Sequence, residues 1–266
     1  VYVLDVPVAG KTQAVLSLPD GRQVALGNEK EQDTAWMKYV EACTIESKAT
    51  TEPADIKIEV ARGGEYKIRL EDGTTVWLNS ESSLIYPEKF TGDKRAVRLS
   101  GEGYFEVARD EKKPFIVSVT DMEIKVLGTK FNVTAYQDEK MTTTTLISGA
   151  VEVVTPHRSV QLQPGKQAMV QEGGDDITVL EVDVELATSW TAGIFKFDKM
   201  ALTDICTRLS RWYDIDFVFE GETGKEKFTG GTWKYVPLKD FLSKIERVTN
   251  VLFLFENNTV KVVPKK

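Results

Sequence analysis

Side chains that could do covalent or metal chemistry are scarce in this sequence. Its 266 residues include one histidine, His157, and two cysteines, Cys43 and Cys206. A Ser-His-Asp hydrolase or a zinc site needs imidazole or thiolate groups at several positions. His157 lies in a polar turn, Cys206 falls beside the apolar stripe of a predicted helix, and we expect no disulfide between Cys43 and Cys206. The sequence therefore predicts no catalytic centre of these types, no metal site and no cofactor.

Two glycine-containing segments and many carboxylates also lack the spacing that chemistry would need. Residues 221–225 (Gly-Glu-Thr-Gly-Lys) miss the phosphate-loop spacing, and residues 101–103 (Gly-Glu-Gly) run into a strand where a dinucleotide site needs a helix N-terminus. With 41 acidic residues, some carboxylate pair is always available to suggest a glycosidase. The acidic residues Glu102, Glu106 and Asp110 are expected to be solvated or paired with an arginine, namely Arg95, Arg98 or Arg109.

Net charge and hydropathy argue against two classes of partner. A net charge of −7 and an isoelectric point near 5.1 oppose binding to nucleic-acid phosphates. No run of 18 or more apolar residues is present, so no membrane-spanning helix is predicted within the sequence. Because the sequence begins at Val1, we expect a trimmed or processed chain, whose upstream signal peptide or membrane anchor would not be visible.

Two internal repeats organise the elements that would position any site. Residues 18–26 and 70–78 align at an offset of 52, and each predicts a β-hairpin around an Asp-Gly turn. Residues 209–220 and 245–256 align at an offset of 36. Each copy of this second repeat predicts a strand, an amphipathic helix and a strand, with Asp198 as N-cap of the first helix.

The remaining patterns predict the fold class and the domain boundary. Short β-rich runs between residues 96 and 170 are separated by turns at the spacing of a sandwich, while residues 28–55 fit a helix and a strand almost equally well. We predict a mainly β chain with a small α+β domain. An antiparallel β-sandwich-like or twisted β domain spans residues 1–188, and a duplicated βαβ domain spans residues 189–266. Residues 190–266 carry 13 basic and 10 acidic side chains, a balance of +3, which leaves −10 for the rest.

The strand that opens the second βαβ copy is the candidate partner-binding site. A short open sheet presents unpaired backbone groups that a partner strand can complete. The Gly-Gly pair would permit close backbone approach and Trp233 would anchor the contact, although a core position for Trp233, as for the other tryptophans, fits the pattern at least as well. The candidate residues are Phe228, Thr229, Gly230, Gly231, Thr232 and Trp233.

A series of motifs covers most of the β domain. It begins with Arg-Gly-Gly-Glu-Tyr at 62–66 and Leu-Glu-Asp-Gly-Thr-Thr-Val-Trp-Leu-Asn at 70–79. It continues through the segments 83–87, 95–107, 113–115, 126–133, 149–153 and 162–165. In this order and spacing, the motifs resemble the FecR family of periplasmic sensor and anti-sigma proteins. Residues 193–266 are similar to the C-terminal domain of FecR-like proteins of Bacteroidetes, and that domain is similar to the secretin/TonB short N-terminal module.

The resemblance implies a signalling role without catalysis. Such proteins have a cytoplasmic anti-sigma segment, one inner-membrane helix and a periplasmic sensor, which contacts the signalling domain of a TonB-dependent outer-membrane transporter. Loading of the transporter with a nutrient, siderophore iron or a glycan, is relayed to an extracytoplasmic-function sigma factor. Because only the periplasmic part matches, the sigma-factor-binding segment and the N-terminal transmembrane helix are expected to be missing.

Two other function classes remain open at this point. A carbohydrate-binding β-sandwich module would place aromatic side chains on an exposed face or loop. A hydrolase would need a cleft with two perturbed carboxylates, and no motif indicates one.

Overall fold

The computed structural model of the chain describes residues 14–18, 22–26, 55–120 and 122–265. These residues divide into two units. The described residues between 14 and 61 and between 65 and 187 form the larger unit, and residues 62–64 and 188–265 belong to the smaller one. The undecided segment 28–55, with Trp36 and Cys43, lies outside the described residues except for Asp55, which begins strand β3. The assignment of residues 1–188 and 189–266 to two domains stays a prediction.

The larger unit is built from strands, which form two sheets that share strand β7. The strands are β1 (Ala14–Ser17), β2 (Gln23–Leu26), β3 (Asp55–Val60), β4 (Tyr66–Arg69), β5 (Thr75–Leu78), β6 (Ser82–Pro87), β7 (Arg95–Glu106), β8 (Phe115–Val119), β9 (Met122–Val126), β10 (Lys130–Ala135), β11 (Met141–Ser148), β12 (Val151–Val154), β13 (Ser159–Leu162), β14 (Lys166–Gln171) and β15 (Ile177–Glu181). The first sheet has the order β2-β1-β3-β6-β7-β8-β9-β12-β13, and the second has the order β4-β5-β7-β10-β11-β14-β15. All pairs are antiparallel except β7 with β8.

Strand β7 passes from one sheet to the other near its middle. Its first residues pair with β6 and β8, and its last residues pair with β5 and β10. Gly101 lies at this crossing with a φ of +91°, and a Cβ there would lie 2.3 Å from Ser82 Oγ. Glycine is therefore required at the crossing, because it tolerates positive φ and leaves room for the neighbouring strand.

Buried and more exposed residues alternate along the strands, and the buried ones form one core between the two sheets. Phe105 in the second sheet stacks on Phe131 at 5.0 Å between ring centroids and meets Phe115 of the first sheet at 6.4 Å. The β1–β2 and β4–β5 pairs are antiparallel hairpins, which confirms the prediction from the 52-residue repeat. The inward side chains of both sheets belong to a single buried cluster, as the sandwich pattern predicted.

The smaller unit contains two helices and two small sheets. Helix α1 (Val184–Thr188) and a 3₁₀ turn (Ser189–Ala192) lead into it along the chain. Its remaining elements are β16 (Ile194–Ala201), α2 (Leu202–Tyr213), β17 (Asp216–Phe219), a 3₁₀ turn (Thr223–Lys225), β18 (Lys227–Trp233), α3 (Leu238–Val248), β19 (Val251–Glu256) and β20 (Thr259–Pro264). The apolar stripes of both helices, with residues such as Leu209 and Phe241, are buried together with the inner faces of both sheets.

The order strand–helix–strand occurs twice, as the 36-residue repeat predicted, but the strands pair between the copies. Strand β16 pairs antiparallel with β18, whereas β17 and β19 flank β20 in a separate sheet. Helix α2 begins after Ala201, so the prediction of Asp198 as its N-cap is wrong. Asp198 instead lies within β16. The predicted fold class, mainly β with a small α+β part, is confirmed.

No helix in the described part of the chain has the length and apolar character needed to cross a membrane.

Candidate functional site

The six candidate residues from Phe228 to Trp233 all lie on strand β18. Phe228 and Thr232 are buried, whereas Thr229, Gly231 and Trp233 are exposed. Phe228 contacts two other phenylalanine rings of the core at 6.0 and 6.5 Å between centroids. The strand therefore has one face in the core and one face available for contact.

The Trp233 side chain lies on the exposed face of β18. It is 61% exposed, so the alternative expectation of a core tryptophan is wrong. Its partner across the strand pair is Ile194 of β16. Side chains of a strand point alternately to its two faces. Phe228 faces the core and Trp233 follows it by five residues, so Trp233 lies on the opposite face. That signal was available in the sequence.

Strand β18 is an edge strand on one side. It pairs with β16, and within the described part of the chain no strand pairs with its other side. The two glycines leave room for groups of the unit itself: a Cβ on Gly231 would lie 2.6 Å from Phe195 O of β16, and a Cβ on Gly230 would lie 2.6 Å from the Phe228 ring of the same strand. The close backbone approach that Gly231 permits is thus already made within the sheet.

Trp233, the last residue of β18, and the next two residues invert the usual distribution of charge and apolar surface. Lys234 is completely buried, while its neighbours Trp233 and Tyr235 are 61% and 56% exposed. The Lys234 ammonium lies 3.6 Å from the centroid of the Trp212 ring. A buried charge beside two exposed aromatic rings is informative, since burial of the rings alone would be favoured by about 25 cal/mol for each Å² of apolar surface.

The backbone of this segment is held firmly by helix α2. The carbonyl oxygen of Lys234 accepts hydrogen bonds from Trp212 Nε1 at 2.7 Å and from the Tyr213 hydroxyl at 3.1 Å, and the same hydroxyl contacts Val236 O at 2.7 Å. The Lys234 amide donates to Gly193 O at 2.9 Å. Burial raises the pKa of Tyr213 to about 12, so its hydroxyl stays protonated and able to donate at neutral pH.

Lys234 and Tyr235 are the residues that sequence reasoning missed at this site. The local sequence predicts that a lysine such as Lys234 is exposed to solvent. Its burial becomes possible because aromatic residues of α2 and of the preceding 3₁₀ turn surround the ammonium. Trp190 and Phe195 also lie within 6 Å of the ammonium. This arrangement can present Trp233 and Tyr235 rigidly to a partner.

The carboxylates considered for catalysis are engaged in structural contacts. Glu102 accepts hydrogen bonds from Asn79 Nδ2 at 2.8 Å and Asn132 Nδ2 at 3.0 Å, so the expected arginine partner or full solvation is wrong for it. Glu106 pairs with Lys130 at 2.8 Å. Asp110 is exposed, as expected, and accepts hydrogen bonds from the backbone amides of residues 112 and 113. The three arginines pair with other carboxylates: Arg95 with Asp72, Arg98 with Asp55 and Arg109 with Glu111.

One aromatic pair on the larger unit, of the kind that a carbohydrate module would use, is already in contact with another side chain. Trp77 and Tyr104 lie partly exposed on neighbouring strands of the second sheet, with an edge contact of 5.4 Å between centroids. The ammonium of Lys67 covers the Trp77 ring at 4.1 Å from its centroid. A sugar ring would need that same face, so this pair gives no support to carbohydrate binding.

The remaining reactive groups do not form a site. Cys206 is free and buried, and burial raises the pKa of its thiol, in agreement with the inert thiol expected. His157 is exposed and lies 3.6 Å from Asp175. Within the described ranges, no group of three or more His, Cys, Asp or Glu side chains could hold a metal ion.

Comparison with known proteins identifies both units. The model of the FecR protein family matches residues 56–152, and the model of the FecR C-terminal domain matches residues 194–262. A comparison with curated proteins finds no match.

Two solved structures of a proposed anti-sigma factor from Parabacteroides distasonis are similar to the chain. The structure at 1.65 Å resolution has 30% sequence identity and a TM-score of 0.74, and covers 79% of this chain and 99% of its own. The structure at 2.50 Å resolution has the same identity and TM-score, and covers 80% of this chain and 100% of its own. On these matches, which together span most of the described sequence, the chain belongs to the FecR protein family.

Proposed function

We propose that the chain is the periplasmic sensor region of an anti-sigma factor, anchored to the inner membrane in the full-length protein. Through protein–protein contacts it relays the state of a TonB-dependent outer-membrane transporter to an extracytoplasmic-function sigma factor. Family membership and the similarity to a proposed anti-sigma factor support the regulatory role. The sigma factor would bind a cytoplasmic segment, and the signalling domain of the transporter would bind the sensor.

One observation carries the assignment of the contact site. The exposed Trp233 ring lies on a strand that has an available edge in the described structure, and the buried Lys234 beside it holds the segment in place. Interfaces concentrate their binding energy in a few tryptophan, tyrosine and arginine side chains. A partner strand at the edge of β18 would supply backbone hydrogen bonds, and Trp233 would supply the apolar anchor.

The test is calorimetric titration with the purified periplasmic signalling domain of the TonB-dependent transporter whose gene neighbours that of this chain. Trp233→Asp is expected to weaken binding by at least about 30-fold, the loss typical of a central interface residue. Because the side chain is exposed, the variant should keep the wild-type circular dichroism spectrum. Val248→Asp is the matched control, since Val248 is 70% exposed on helix α3, and it should bind as wild type.

Two results would contradict the proposal in different ways. Unchanged affinity of Trp233→Asp would show that β18 is not the contact site. Failure of the wild-type chain to bind the signalling domain would show that the relay does not pass through this sensor.

A further inference from the structure

The charged residues of β16 and β18 differ in sign from the chain as a whole. The two strands contain Lys196, Asp198, Lys199 and Lys227, three positive charges and one negative. The three-stranded sheet of the same unit contains Asp216, Glu256 and Lys261. Positive charge is thus concentrated on the sheet that carries Trp233, although the chain has a net charge of −7.

Two of these lysines have no acidic partner within the described structure. No carboxylate of the described residues lies within 4.0 Å of the Lys199 or Lys227 ammonium, and both side chains are exposed. By contrast, Lys261 pairs with Glu256 at 2.7 Å, and Lys225 pairs with Glu222. The lysine of the three-stranded sheet is therefore paired with a carboxylate, whereas Lys199 and Lys227 of the two-stranded sheet are not.

The backbone directs Lys199 outward. The register of β16 with β18 shifts between Phe197 and Met200, and Lys199 has a φ of +45° at this irregularity. The Thr229 hydroxyl accepts a hydrogen bond from the Lys199 backbone N–H at 2.8 Å and donates one to Asp198 Oδ1 at 3.3 Å. Bulges at sheet edges commonly re-aim a side chain, and this one adds a positive charge beside the strand.

Lys227 and Trp233 share the exposed face of β18. They are six positions apart, which corresponds to about 20 Å along a strand. Resting on the proposed function, we infer that the partner segment is an acidic strand of about seven residues. Its carboxylates face Lys199 and Lys227 at one end, and its apolar side chains receive Trp233 at the other.

Charge at the rim of an interface acts mainly on the association rate, whereas an apolar anchor acts mainly on the dissociation rate. The two contributions can therefore be separated by kinetics. Raising NaCl from about 0.05 M to about 0.5 M shortens the Debye length from about 14 Å to about 4 Å. Such a change screens exposed lysines and leaves the packing of Trp233 almost untouched.

The experiment is surface plasmon resonance with the purified signalling domain of each TonB-dependent transporter of the source genome. For the wild-type chain, association should slow about tenfold over that salt range. The Lys199→Glu/Lys227→Glu variant should associate about tenfold more slowly at low salt and lose most of its salt dependence. Arg208→Glu/Lys244→Glu is the control, with the same change in charge at exposed positions on the helices, and its effect should be clearly smaller.

The outcomes separate the inference from the proposed function. Salt-independent association, an unaffected lysine variant or tighter binding by that variant would overturn the acidic partner and leave the relay standing. An effect of equal size in the control variant would also overturn it, since only overall charge would then matter. If no signalling domain binds the wild-type chain at either salt concentration, the proposed function fails and the inference fails with it.

Discussion

Replacement of Arg95 by methionine tests the account of the larger unit most sharply. The Arg95 side chain is 3% exposed and pairs with Asp72, which is 12% exposed, at 2.8 Å. Its Nη1 also donates to Ala108 O at 2.8 Å, and its Nε donates to Lys113 O at 2.9 Å. One guanidinium group thus joins the β4–β5 turn to the segment that follows β7.

The expected loss of stability follows from the groups that Arg95→Met leaves without a partner. The variant keeps a similar side-chain length but removes every donor, so a largely buried carboxylate loses its counter-ion and two carbonyl oxygens lose a partner. Breaking a buried ion pair from one side costs about 3–5 kcal/mol. For a unit of this size the corresponding fall in melting temperature is about 10 °C.

The assay is denaturant unfolding followed by circular dichroism, with Arg98→Met as the matched control. Arg98 pairs with Asp55 at 2.6 Å, but both side chains are about half exposed or more, so its loss should cost less than about 1 kcal/mol. The double variant Arg95→Met/Asp72→Asn should be less destabilised than the sum of the single variants, because no buried charge remains without a partner. Equal, small costs for Arg95→Met and Arg98→Met would refute the reasoning.

Three further predictions concern packing, backbone and thiol chemistry. Phe241→Ala, at a fully buried position with two phenylalanine rings at 6.0 Å, should destabilise the smaller unit by about 3–5 kcal/mol in denaturant unfolding. A cost below about 1 kcal/mol would contradict the packing. Gly101→Ala should cost well over 1 kcal/mol and more than Gly165→Ala, since both have positive φ but only the former meets Ser82 at 2.3 Å. Equal melting temperatures of these two variants would count against the strand crossing. Cys206 should resist a thiol reagent at pH 8 until the chain is unfolded, because burial raises its pKa, and a labelled Cys206 peptide in mass mapping of the folded chain would disprove this.

The local features of the fold were predictable from the sequence because they depend on neighbouring residues. The Asp-Gly turn at residues 72–73 lies between alternating apolar positions, and it forms the β4–β5 hairpin. The apolar residues of α2 recur at helical spacing, and the helix spans Leu202–Tyr213. These patterns need no knowledge of distant contacts.

Strand pairing was not predictable in the same way. The passage of β7 between two sheets depends on strands far apart in the sequence. The pairing of β16 with β18, rather than within each copy of the repeat, buries both helices in one core. Sequence periodicity assigns a strand and its inner face but does not select its neighbour.

The candidate site shows the same division. Because side chains alternate between the two faces of a strand, Trp233 lies on the face opposite to the buried Phe228, so its exposure to solvent could have been predicted. The burial of Lys234 could not, because it depends on the ring of Trp212 from another element. A residue's charge predicts exposure only when no distant aromatic group encloses it.

Amide hydrogen exchange of the chain, with and without the transporter's signalling domain, tests the central claim most directly. Peptides that cover residues 228–235 should exchange more slowly in the complex, because a partner strand would pair with the available edge of β18 and cover Trp233. Peptides from the Arg95 region should exchange at the same rate in both samples. Protection confined to the larger unit, or none at saturating signalling domain, would contradict a relay through this strand.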